Sequence, residues 1–309
     1  MNVHIPCPCG VICGKSPINV PLYREKEATV LKVIGIGDNV VDVYLHTNTM
    51  YPGGNTMNFC AYARRLGIPA AYIGVFGDDR AAEHVYTTAN HLGIELSHAR
   101  KYHGENGWAK VDLVDGDRVF QGSNKGGVSK EYPIQLSDED LAYIRNFNLI
   151  HTSCFSYVDD EIARMASANV PISYDFSDHT DKEQMKKVCP YLFLAVTSCG
   201  HLTEEEVLEK AKELHGFGAK MVLLSMGRRG AILYDGTTAF YQPSGKEKAI
   251  DSMGAGDSFC TAFSITYLTK VLYGENHEDA VKYSLEKAAS FATEICMTDG
   301  AFGYGTNYQ

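Results

Sequence analysis

Seven short β-type runs, many of them separated by helical patterns, constrain this chain more than any other feature. They are "LKVIGIGD" at 31–38, "AAYIGVFG" at 70–77, "LIHTSCF" at 149–155, "VPISYDFS" at 170–177, "YLFLAVTS" at 191–198, "MVLLSMG" at 221–227 and "GAILYDG" at 230–236. Apolar runs of this length are buried on both faces, and helices between successive strands supply the cover. The pattern predicts a three-layer α/β/α sandwich around a mostly parallel sheet. Helix signals agree. Asn55 to Leu66 ends at Gly67 and Asp79 to Leu92 ends at Gly93, glycines where a left-handed C′ residue belongs. Ser137 and Thr203 read as N-caps, with Asp140 and Glu206 three residues on, and the Thr203 case fits a capping box.

One section breaks the alternation. Residues 107–121, "GWAKVDLVDGDRVFQ", read as two strands around Asp115-Gly116, a hairpin signal. With the polar-alternating "VDVYLHT" at 41–47 they predict a small separate sheet from about 41–50 and 105–122, placed as a lid over a site. Residues 1–30 differ from the rest: four prolines, three close cysteines (Cys7, Cys9, Cys13) and no periodicity mark an N-terminal extension outside the unit at 31–309. Those cysteines with His4 do not form the two separated pairs of a structural zinc site.

The formal net charge of −10 over 309 residues argues against nucleic acid, whose phosphates want a basic face. Nine cysteines, with Cys60, Cys154, Cys189 and Cys260 scattered singly in apolar segments, fit reduced buried thiols better than disulfides. No run reaches the roughly 18 apolar residues that span a bilayer, and the N-terminus lacks a secretory pattern. The expectation is a soluble cytoplasmic protein with neither membrane nor nucleic-acid partner.

Three segments compete as anion sites. "CGVICGKS" at 9–16 lacks the first glycine of a phosphate loop and a preceding strand, and "GIGDNV" at 35–40 has Val40 where a third glycine belongs. "DSMGAGDSFCTAF" at 251–263 is stronger. Its Gly254 and Gly256 let the backbone turn N–H groups toward a charged ligand, and the helix that follows adds its positive end. A carboxylate at Asp257 would repel a phosphate unless it takes a proton from an attacking hydroxyl. The alternative is an N-cap aspartate after a glycine turn. Local sequence leaves both open.

The same stretch resembles the C-terminal signature of the ribokinase/PfkB family of carbohydrate kinases, Asp-[Thr/Ser]-x-Gly-Ala-Gly-Asp. "YPGGNTMNFCAYARRLG" at 51–67 resembles the family's N-terminal glycine-asparagine segment. "GDNVVD" at 37–42, "GVFGDD" at 74–79 and "SMGRRGAILY" at 225–234 follow in the family's order over about residues 31–309. The resemblance implies a ribokinase-like fold and transfer of the ATP γ-phosphoryl to a sugar hydroxyl, with Mg²⁺. It implies Asp257 as catalytic base and Gly254, Ala255 and Gly256 as the anion hole. Asp42, Gly53, Gly54 and Asn58 would bind sugar hydroxyls, Gly227 and Gly230 would lie beside the nucleotide, and Asp251 with Ser252 would hold a monovalent cation such as K⁺. Lids in this family often pair into homodimers.

The family's Asn-x-x-Glu motif, which organises Mg²⁺ through water, is missing: Ser198 and His201 occupy its spacing. This absence, with "GIGDNVVDVY", "DRVF" and "DFSD" at 175–178, is most like the fructoselysine 6-kinase branch, which phosphorylates sugars linked to an amine. A cationic nitrogen would suit spare acids, and Asp38 and Asp175 are candidates unless they only cap loops. Trp108, the one tryptophan, either stacks on the sugar or packs within the lid. His46 and His103 read as exposed lid residues, and His151 as a satisfied core histidine. Fructose, ribose or a nucleoside remain alternative substrates, and an inactive sugar or nucleotide sensor is the alternative of another class.

Overall fold

The computed structural model describes residues 31–114, 117–245 and 249–308. The extension at 1–30 with its cysteines and the Asp115-Gly116 turn lie outside the described residues. The first part of the chain gives β1 (Val33–Gly37), β2 (Val40–Tyr44), β3 (Thr49–Gly53), α1 (Asn55–Arg65), β4 (Ala70–Phe76), α2 (Arg80–His91) and β5 (Arg100–Lys101). There follow β6 (Gly107–Val114), β7 (Asp117–Ser123), α3 (Val128–Glu131), α4 (Asp138–Ile144), β8 (Leu149–Ser153), α5 (Ile162–Ala166), β9 (Ile172–Asp175) and α6 (Lys182–Val188). The last part forms β10 (Leu194–Ser198), α7 (Glu204–Gly216), β11 (Met221–Ser225), β12 (Ala231–Tyr234), β13 (Ala239–Gln242), α8 (Ala255–Leu272), α9 (His277–Ile295) and β14 (Thr306–Asn307).

The main sheet runs β13-β12-β11-β10-β9-β8-β1-β4-β5. Its strands are parallel from β11 to β5, and β12 and β13 close one edge antiparallel. Alternate residues of each central strand feed opposite cores: Val33, Tyr72, Leu149 and Leu223 face one, and Ile34, Ile73, Ile150 and Leu224 the other. Helices α1, α2, α8 and α9 cover the first face and α4 to α7 the second. This two-sided cover is why the strands read as continuous apolar runs.

Local signals act as expected. Gly67 and Gly93 take positive φ after α1 and α2. Ser137 and Thr203 both close full capping boxes, so the Ser137 cap is stronger than its sequence alone implies. The small sheet expected to act as a lid is larger than the sequence outlines. It runs β14-β3-β2-β6-β7, so β3 extends the first arm to Gly53 and the C-terminal Thr306–Asn307 adds an edge. A two-residue strand leaves no periodicity to read. His46 is exposed beyond β2; His103 is exposed too, but stands before the lid strands and bonds to Asp78 at 2.6 Å. Cys60, Cys189 and Cys260 are buried free thiols, while Cys154 is only part-buried. Among the described residues no helix is long and apolar enough to cross a membrane.

Candidate active site

Two glycine turns bring the starts of α1 and α8 to the C-terminal edge of the parallel sheet, where open α/β sheets place their ligands. Gly54, at φ 101°, joins β3 to α1, and a Cβ there would lie 2.8 Å from Asn39 Cα. Gly254, at φ 72°, turns the chain into α8, and a Cβ there would run into Tyr62 Oη. Only glycine takes such conformations at little cost.

Gly254 occupies the N-cap position of α8 and has no side chain to cap it. Asp257 is the third residue of the helix, which removes the N-cap alternative for it. The Ala255 N–H donates to Ser252 O at 3.2 Å, whereas the Gly254 and Gly256 N–H groups meet no protein acceptor among the described residues. These donors at a helix start, with its dipole, suit an anion.

Asp257 lies part-buried between two asparagines of α1. Asn55 Nδ2 donates to Oδ1 at 2.8 Å and Asn58 Nδ2 to Oδ2 at 2.6 Å. Asn55 Nδ2 also donates to Asp175 Oδ2 at 2.8 Å, so one amide bridges two carboxylates from α8 and β9. The other Asp175 oxygen accepts from the Ser177 N–H at 2.7 Å. Asn58 is 3% exposed, and its Oδ1 has no partner among the described residues. Asp42, buried on β2, closes the other side: a Cβ on Gly53 would run into its Oδ2 and come within 3.9 Å of Asn58 Oδ1. The structure thus gathers Asp42, Gly53, Gly54, Asn58, Asp175 and Asp257 at one place.

Other predicted residues stand apart or have different work. Asp38 Oδ1 accepts from the hydroxyls of Thr56, Ser153 and Ser156 at 2.8, 2.9 and 2.9 Å, which ties β1 to α1 and to the end of β8. Its Oδ2 lies 3.0 Å from where a Cβ on Gly54 would stand, beside the cluster. Trp108 packs partly buried against the core with Lys110 Nζ 4.9 Å from its ring centre. Its Nε1 is buried with no acceptor among the described residues. Gly227 and Gly230 lie in the turn between β11 and β12. There Arg229 Nη2 donates to the carbonyls of Cys199, Gly200 and Leu202, binding this turn to the β10–α7 loop.

Asp251 is fully buried and its carboxylate is engaged. Oδ2 accepts from Tyr44 Oη at 2.5 Å and from the Gly300 N–H at 2.8 Å, and Oδ1 from the Met253 N–H at 2.9 Å. This clasp joins β2 to the glycine loop. Ser198 and His201 line an open groove of about 390 Å³ with Glu206 and Lys210. Among the described residues no three His, Cys, Asp or Glu side chains are placed to hold a metal ion.

Two residues matter more than their sequence context suggests. Asn55 reads as an ordinary helix start, yet it holds both carboxylates. His151 is a buried core histidine, as expected, but its Nε2 lies 2.9 Å from Asn55 Oδ1 and its Nδ1 3.2 Å from Ser173 Oγ. Burial pushes its pKa down to about 3, so the ring is neutral at working pH.

Comparison with known proteins gives the family. Residues 27–297 match the pfkB family of carbohydrate kinases. The chain is 39% identical to the fructosamine kinase FrlD of Bacillus subtilis (strain 168), over 90% of this chain and 95% of that one. It is 33% identical to the fructoselysine 6-kinase of Escherichia coli (strain K12), over 74% of this chain and 86% of that one. A solved structure of Arabidopsis thaliana ribokinase complexed with ribose and ATP superposes with a TM-score of 0.71 at 20% identity, covering 89% of this chain and 95% of that one.

Proposed function

Because this chain belongs to the pfkB family of carbohydrate kinases and is an ATP-dependent phosphotransferase of ribokinase-like fold, we propose that its substrate is a fructosamine such as fructoselysine, phosphorylated on the 6-hydroxyl. The observation that carries this reading is the position of Asp257. Its carboxylate is held by Asn55 and Asn58 beside the Gly53-Gly54 turn, one helix turn from the donors of Gly254 and Gly256. A sugar hydroxyl seated against Asn58 and Asp42 would meet a base on one side and an anion site on the other.

In this mechanism Asp257 accepts the hydroxyl proton as the oxygen attacks the γ-phosphorus of MgATP. The Gly254 and Gly256 amides and the positive end of α8 stabilise the charge on the transferring group. Phosphoryl transfer needs chiefly such positioning and charge stabilisation. The unmet acceptor Asn58 Oδ1 is a natural partner for a substrate hydroxyl. Asp175, bound to Asn55 through one oxygen, is the acid placed to favour a cationic amine nearby. Asp251, engaged by three protein donors, gives no support to a K⁺ requirement, and no step runs through such an ion. Two lids pairing into a homodimer remain part of the proposal and not of the fold description.

The names of the two relatives support the sugar-amine over ribose, fructose or a nucleoside. ADP release with MgATP and fructoselysine, fructose, ribose or adenosine in separate reactions tests this. Highest kcat/KM with fructoselysine is expected. Preference for another sugar overturns the substrate, and no turnover on any of them favours the sensor reading.

A further inference from the structure

The geometry points to His151 as a positioning residue for the catalytic carboxylate, acting through Asn55, an inference that rests on the assignment of Asp257 as base. The hydrogen-bond directions form one consistent chain. Asp175 and Asp257 both present carboxylate oxygens to Asn55 Nδ2 at 2.8 Å, and a carboxylate accepts only. The Asn55 NH₂ group, with two protons, must therefore face them, one proton to each. Its Oδ1 must then face His151, so Nε2 carries the imidazole proton and donates to it at 2.9 Å. Nδ1 is left as an acceptor and takes the Ser173 hydroxyl proton at 3.2 Å. Behind Ser173, the Cys260 thiol lies 3.6 Å from its Oγ, with burial pushing that thiol's pKa up to about 12, so it stays protonated and able to donate.

The ring itself is locked. His151 is 1% exposed on β8 and stacks on Phe59 with ring centres 4.4 Å apart and 19° between planes. Phe59 and Asn55 belong to the same helix, α1, so ring and amide are held to one frame. A neutral imidazole suits this place because it fixes the amide without setting a positive charge beside the two carboxylates. Without the Nε2 donor, the part-buried Asn55 Oδ1 loses its histidine partner, and the amide loses the contact that opposes its rotation. Asp257 would keep Asn58 but lose the fixed partner on Oδ1.

The test is a set of purified variants, with melting temperatures read first. His151→Leu removes the donor at similar volume; His151→Met replaces it if the leucine variant does not fold. His151→Gln retains an amide N–H near the Nε2 position. For the apolar variant, kcat should fall about 10–100-fold while KM for sugar and for ATP moves less than about threefold, since a carboxylate displaced by a fraction of an ångström loses alignment but not binding. The glutamine variant should recover most of that loss. A folded apolar variant with wild-type kcat overturns the inference, as does a glutamine variant no better than the apolar one, which would reduce the ring to packing. Asp257→Asn is measured alongside. If that variant turns over normally, the assignment of the base fails; if it is inactive while His151→Leu is normal, only the positioning role fails.

Discussion

Asn55 makes three directed hydrogen bonds, to Asp257, Asp175 and His151, and so ties α1 to α8, β9 and β8. Its neighbour Asn58 holds the second Asp257 oxygen. The backbone at Gly254 determines whether this arrangement exists at all. Alanine there would have to keep a φ of 72° and displace Tyr62 Oη, which donates to the Ala301 carbonyl at 2.6 Å. Gly254→Ala is therefore expected to destabilise the fold by about 1–3 kcal/mol in urea unfolding and to lower kcat, because the amide next to Asp257 is re-aimed. Unchanged stability and turnover would show that the loop accepts a side chain. Asp257 and its glycines stand out in the sequence through the family signature they resemble, since the local spacing alone leaves an N-cap aspartate open. Asn55 and His151 do not, because an asparagine at a helix start and a histidine in a strand have commoner uses, and only the folded chain brings β8 beside α1.

Among elements, those with strong local chemistry are legible with near-correct bounds. The apolar strands and the capped helices need only period, cap and glycine. The edges need more. Ala239–Gln242 pairs with β12 in a hairpin whose turn is fixed by Asp235, and its exposed alternate residues blur the pattern. Asp235 is partly buried, which raises its pKa, but the Thr238 and Thr237 amides, the Thr237 hydroxyl and His277 outweigh this and bring it down to about 2. A depressed folded-state pKa means that the carboxylate stabilises the fold above the ordinary value near 3.8 and loses that contribution as pH falls toward 2. The difference in melting temperature between wild type and Asp235→Asn should accordingly be constant at pH 5 and above and shrink between pH 4 and 2. A difference that stays level down to the acid end would contradict this account of the turn.

At the scale of the molecule, the proposed function needs three parts to meet: the C-terminal edge of the sheet, the α8 start and the small second sheet. The sequence shows the first two and only outlines the third, since β14 joins the lid from the far end of the chain without a pattern of its own. Tyr44 and Asp251 fasten β2 to the glycine loop through one buried hydrogen bond. Everything in the account passes through Asp257. The most direct measurement is kcat and sugar affinity for Asp257→Asn beside wild type, with fructoselysine and MgATP. A general base contributes about 10²–10⁴ in rate, so kcat should fall at least that far while sugar affinity stays within a few-fold. Near-normal turnover by that variant would contradict the account.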